Sequence, residues 1–248
     1  MSDKPTQYAH LTFNSPLAPW RAERLVRSLS KDNPPRIIDF GCGWGELLLS
    51  LLEASPSSTG IGLDNDNRLL DRARSNARKR GLSDQVEFID RDASTWTEPA
   101  DLVICIGASH IWSDPQTALR KLHPLVKPGG RLLFGDMIWE RRPTPEELAR
   151  LWEEASGDEM CDLPELTDAV IDAGFRPLRL EAVERGEMDD FESGFLADWE
   201  HYLINCPNAA EADTYRRFAD EHRRMWLEGY RDLAGFAYVT AGRPYSRR

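Results

Sequence analysis

The chain has 248 residues, 41% of them hydrophobic, which is enough to fill the core of one large domain or of a domain with an added cap. A formal charge of −11 and an isoelectric point near 5.0 exclude a broad, sequence-independent attraction to nucleic acid, which needs clustered Lys and Arg. Cys42, Cys105, Cys161 and Cys206 contain no CxxC pair and the histidines no metal-ligand spacing, so neither a zinc site nor a disulfide framework nor any other metal is expected.

In chain order, "MSDKPTQYAH" lacks a basic segment followed by an apolar one, and no apolar run nears the ~20 residues that span a bilayer. The expectation is a soluble, unexported, cytoplasmic protein with no membrane partner. "FNSPLAPWRAERLVRSL" predicts a Pro-punctuated opening segment within residues 1–30 and a helix of about three turns, with Leu25, Val26 and Leu29 facing inward. From 36 to 136 the runs "RIIDF", "TGIGLD", "QVEFID", "DLVICIG" and "GRLLFGD" read as buried strands of a parallel sheet. Residues 45–54, 67–80 and 115–125 carry helical spacing between them, and "VKPGG" at 126–130 reads as a turn. That alternation predicts an α/β, doubly wound Rossmann-like sheet with its ligand beyond the carboxyl ends of the strands.

After the sheet, "TPEELARLWEEA" predicts a helix opened by a capping box of Thr144 and Glu147, and "LPELTDAVIDAGF" a second one closed by Gly174. "RPLRLEAVE" and "GFAYVTAGR" read as two further strands. Between them, residues 189–233 predict a helical-hairpin insert interrupted at Pro207. One stripe holds Phe191, Phe195, Trp199, Tyr202 and Leu203, the other Tyr215, Phe218, His222, Met225, Trp226 and Tyr230. The whole length 1–248 is expected to be one domain with this hairpin as a lid. Arg216, Arg217, Arg223 and Arg224 read as a solvated helix face, with binding of an acidic substrate as the alternative.

Gly41-x-Gly43-x-Gly45 lies between the first strand and the first helix, where bare backbone admits a close neighbour. The sixth place of a dinucleotide fingerprint holds Glu46, whose carboxylate would repel a diphosphate at the same helix end, and no P-loop run exists. A cationic ligand without phosphate fits better.

At this point the chain resembles the class I S-adenosylmethionine-dependent methyltransferases, and by its layout the bacterial small-molecule ones. The likeness rests on "DFGCGWGE", "GIGLDNDN", "FIDRDAS", "CIGASH" and "LVKPGGRLLFGD" in that order. The resemblance implies seven strands with the last antiparallel, and S-adenosylmethionine as cofactor. It implies Asp39 near the ammonium end, Gly41, Cys42 and Gly43 against the cofactor, and Asp64 with Asn65 at the ribose. Asp92 and Ala93 fall beside the adenine, with Gly107 after the fourth strand. In "GASHIW", His110 is the candidate general base, since its ordinary pKa near 6.5 suits proton uptake at neutral pH, with a pocket-shaping role as the alternative. Ser109 and Trp112 are candidate acceptor-binding residues.

The expected function is methyl transfer to an oxygen or nitrogen of a small organic molecule, with no nucleic-acid partner. A non-catalytic S-adenosylmethionine-binding sensor or partner subunit and an NAD-dependent oxidoreductase are the rival readings.

Overall fold

The computed structural model describes residue 5 and residues 8–245, so residues 1–4, 6 and 7 of the expected opening segment lie outside the described residues. In chain order the elements are α1 (Pro19–Leu29), β1 (Arg36–Phe40), α2 (Glu46–Ala54), β2 (Thr59–Asp64), α3 (Asn67–Arg80) and β3 (Val86–Asp90). Then follow β4 (Ala100–Ile106), α4 (Pro115–Leu122), β5 (Val126–Trp139), α5 (Pro145–Leu148), α6 (Leu163–Asp172) and β6 (Arg176–Ala182). The chain closes with α7 (Arg185–Asn205), α8 (Ala212–Arg224) and β7 (Ala234–Gly242). The strands form one sheet in the order β3-β2-β1-β4-β5-β7-β6. β1 pairs parallel with β2 and β4, β2 with β3 and β4 with β5, whereas β6 and β7 pair antiparallel. This is the expected seven-stranded mixed sheet.

The chain divides into two compact units. The larger holds residues 17–136 and 163–182 with the described part of 237–248; the smaller holds 137–162 and 183–236 with the described residues before 17. In the larger unit Ile37, Ile38, Phe40, Val103, Ile104, Leu132 and Phe134 are fully buried, as strands covered on both faces require. Helix α2 buries Leu47, Leu48, Leu49, Leu51 and Leu52, so its leucines surround it instead of forming one stripe. Helix α3 starts where Asp66 accepts the amide of Arg68 and ends at Gly81 in the left-handed region.

Several boundaries differ from the sequence reading. The helix expected over 115–125 ends at Leu122 and tightens into a 3₁₀ turn at His123–Leu125, because Pro124 has no amide to continue the ladder. The "VKPGG" turn is a bulge inside β5: register steps from Ala100 opposite Val126 to Leu102 opposite Arg131. The capping box at Thr144 forms in full, yet α5 is a single turn. Leu151 and Trp152 beyond it pack against the aromatic cluster of the smaller unit, a tertiary demand that overrides local helix propensity.

The smaller unit is built around Trp139, Leu196, Trp199, Ala219, Trp226, Tyr230 and Leu233. Helix α7 begins at Arg185, four residues before the expected insert, on a capping box of Glu184 and Glu187. Its buried line is Met188, Glu192, Leu196, Trp199 and Tyr202, so Phe191 and Leu203 of the expected stripe lie at its margins. Phe218 of the second stripe is largely exposed, while Trp226 and Tyr230 are buried on a π-helical turn, Met225–Tyr230, that ends α8. Glu192 is buried with its oxygens occupied: Tyr230 Oη donates to Oε1 at 2.7 Å and His222 Nε2 lies 2.8 Å from Oε2. Burial and the neighbouring carboxylate push the Tyr230 phenol up, so it stays a donor.

Gly62 in β2 is tightly packed under the glycine loop, since a Cβ there would stand 2.6 Å from a ring carbon of Phe88 and 2.8 Å from the Cys42 sulfur. Gly62→Ala should therefore lower stability by ~1–3 kcal/mol through overpacking, read as a fall in thermal midpoint; an unchanged midpoint would contradict this packing.

Candidate cofactor and acceptor site

The carboxyl ends of β1, β2, β3 and β4 are adjacent, with Phe40 opposite Leu63 and Cys105 and Asp64 opposite Asp90. Every residue expected to bind cofactor or acceptor falls at these four strand ends or on the loops that leave them, all within the larger unit. Asp64 is the hub. Its Oδ2 accepts the Gly43 amide at 2.8 Å and its Oδ1 the Asp66 amide at 2.9 Å, which ties the glycine loop to the β2–α3 connection. Each oxygen keeps a further lone pair for an outside donor.

The loop's amides are largely consumed. Those of Gly41 and Cys42 both donate to the Leu63 carbonyl, at 2.9 and 3.0 Å, Gly43 donates to Asp64, and Gly45 to the Cys42 carbonyl. These four amides are therefore not open to a diphosphate. This replaces the sequence argument from Glu46, whose carboxylate is ion-paired with Arg80 at the end of α3. Packing within the protein also calls for Gly41 and Gly45. Gly41, Gly43 and Gly45 all have positive φ. A Cβ on Gly41 would lie 2.5 Å from the Ala108 Cβ, and one on Gly45 would lie 2.6 Å from the Phe88 ring. Their neighbours are protein. Gly107, with φ of 62°, is the one whose Cβ would point into open space.

Asp39, at the end of β1, is buried, and burial with the nearby Asp64 carboxylate pushes its pKa well above the ordinary range. Burial, Asp39 and Asp64 together raise the Cys42 thiol, which stays protonated. Among the described residues neither Asp39 nor Asp64 has an ion pair, so Asp64 stands as an unpaired carboxylate beside bare backbone, next to the buried Asp39, which holds its proton more tightly. That arrangement fits a ligand carrying ammonium and sulfonium charge and no phosphate. The remaining residues are placed as follows. Asn65 is exposed beside Asp64. Asp92 is exposed and caps the 3₁₀ turn Ala93–Thr95; hydrogen bonds from the Ser94 side chain and then its amide hold the Asp92 pKa low, and Ala93 is buried. Ser109, His110 and Trp112 form a second 3₁₀ turn; His110 is exposed, Ser109 is buried, and Trp112 is buried with its ring 5.5 Å from that of Phe40.

A family model described as a methyltransferase domain matches residues 31–178, well over half of the chain. The chain belongs to this methyltransferase family. It is an S-adenosylmethionine-dependent methyltransferase, and the unpaired Asp64 carboxylate suits that cofactor. The chain is 29% identical to the uncharacterized Escherichia coli protein YjhP over 198 residues, 79% of each chain. The crystal structure of YjhP superposes with a TM-score of 0.84 at 25% identity, covering 97% of both chains. A methyltransferase from Geobacter sulfurreducens, solved in complex with S-adenosylhomocysteine, superposes with a TM-score of 0.83 at 23% identity, over 97% of this chain and 99% of that one. The demethylmenaquinone methyltransferase of Thermus thermophilus is 34% identical over 139 residues, 55% of this chain and 60% of that enzyme.

Two experiments probe the site. Asp64→Ala removes the acceptor of two backbone amides and should weaken S-adenosylhomocysteine binding ~10-fold or more, measured by calorimetry; wild-type affinity would contradict the hub role. For Asp39 the folded pKa lies above the unfolded one, so the folded state holds extra proton and the ligand-free protein loses stability as pH rises from the unfolded pKa near 4 towards the folded value. Asp39→Asn should therefore raise the ligand-free thermal midpoint at pH 8, with the gain shrinking towards pH 4, while weakening cofactor binding.

Proposed function

We propose that this methyltransferase moves the methyl group of S-adenosylmethionine to an oxygen or nitrogen of a small organic molecule. The unpaired Asp64 carboxylate carries the donor half of this reading, because a sulfonium nucleoside supplies both positive charge and the ribose hydroxyls that its open lone pairs accept, with Asp39 near the ammonium end. The acidic surface, with a net charge of −11, supports a small acceptor over a polyanion. In this reading Gly41, Cys42 and Gly43 flank the donor, Asn65 adjoins the ribose, and Asp92 with Ala93 borders the adenine. Gly107 leaves room at the reacting end.

The donor supplies an electrophilic methyl on sulfur, and the acceptor's lone pair forms the new bond as the carbon–sulfur bond breaks. The protein's part is to hold the acceptor atom near ~3–3.5 Å in line with that bond and to exclude water. His110 takes the proton the acceptor loses, and Ser109 and Trp112 border the acceptor. The segment 189–233 enters this reading as a lid through its place in the sequence, between β6 and β7.

The test is turnover of S-adenosylmethionine to S-adenosylhomocysteine against a panel of small metabolites. His110→Ala should lower kcat by ~100-fold or more with S-adenosylhomocysteine affinity unchanged. Cofactor binding without turnover on any panel member would favour a binding module, and unchanged kcat in the variant would remove His110 as the base.

A further inference from the structure

Outside the residues discussed so far, three guanidinium groups converge on one buried carboxylate in the larger unit. Glu181, near the end of β6, accepts from Arg21 Nη1 at 2.9 Å, from Arg24 Nη2, and from Arg179 Nε at 2.7 Å. Arg21 is almost wholly buried and also reaches the Ala182 carbonyl at 3.4 Å, so it serves as the structural staple between α1 and β6. One such pair would suffice to anchor the helix. Arg24 and Arg179 stay 35% and 49% exposed, and the Arg24 Nε–H is shielded from solvent with no acceptor.

Guanidinium groups offer about five N–H donors each, far more than one carboxylate's lone pairs can take. Glu181 therefore leaves Arg24 and Arg179 with surplus donors and surplus charge, in a chain whose net charge is −11. Trp20 adds a planar surface: the guanidinium carbons of Arg21 and Arg24 stand 4.7 and 4.8 Å from its ring centre, yet the side chain remains nearly half exposed.

The cluster also has a telling position. β6 is antiparallel to β7, the one reversed strand, so Glu181 and Ala182 end at the same edge of the sheet as the glycine loop. In the strand order β6 is four places from β1, about 19 Å at ~4.8 Å per strand, on the side away from β2 and Asp64.

We propose that Trp20, Arg24 and Arg179 form an anion site that holds the carboxylate of an acidic, planar small molecule, the acceptor of the methyl group. Its role in the reaction rests on the methyl-transfer reading above, whereas its binding chemistry does not. The probe is 4-fluorobenzoate, titrated into the full-length protein and followed by fluorine NMR, with neutral 4-fluorobenzamide as control. The carboxylate should bind at least tenfold more tightly than the amide. Arg24→Gln and Arg179→Gln should each weaken it fivefold or more, with S-adenosylhomocysteine affinity unchanged within twofold by calorimetry. Equal binding of carboxylate and amide, or carboxylate binding unchanged in both variants, would overturn the site. Displacement by equimolar inorganic phosphate would overturn the planar-carboxylate assignment. Arg179 lies on an edge strand, so its variant keeps the test available if Arg24→Gln unfolds. Wild-type protein that binds the carboxylate but not S-adenosylhomocysteine would fail the methyl-transfer reading alone.

Discussion

The Asp64 carboxylate, held between the amides of Gly43 and Asp66, is the constraint on which the site depends. It makes two loops from adjacent strands into one rigid rim, and it does so with a charge that stays unpaired. The amides of Gly41 and Cys42 are spent on the Leu63 carbonyl, so at this point the rim offers the partly exposed Asp64 carboxylate in place of free N–H groups. A phosphate ligand meets the wrong polarity there, and a cationic one meets the right one.

Bare backbone has two different surroundings in this rim. Gly41 and Gly45 are bare so that Ala108 and Phe88 can pack against the loop, which is a matter of stability. At Gly107 bare backbone faces open space instead. Asp39 is buried beside Asp64, and that burial of its charged form works against the ligand-free fold.

Two buried glutamates show how the same side chain can be either closed or open to further chemistry. Glu192 is matched by a neutral phenol and one imidazole, a satisfied polar knot inside an aromatic core. Glu181 is oversupplied, with three cations around one carboxylate and a shielded donor left over. The arginines that the sequence pattern singled out are ordinary by comparison, since Arg216 pairs with Asp213 and Arg223 with Asp220 and Glu200. Arg21 and Arg24 share α1, whereas Arg179 lies more than 150 positions further along the chain and joins them only when α1 meets β6.

By itself the sequence determined the alternation of strands and helices, the glycine loop, the helical insert and the carboxylates at the strand ends, because periodicity, capping and turn chemistry act over a few residues. Only the tertiary structure decided where α5 stops, which line of α7 faces inward, what the glycines make room for, and that Glu46 turns to Arg80. Those outcomes depend on which distant side chains arrive at one place, and burial, not local propensity, sets their energies. The polarity of the rim belongs to both: the residue types were legible in the chain, but the spending of their amides was visible only once β1 and β2 lay side by side.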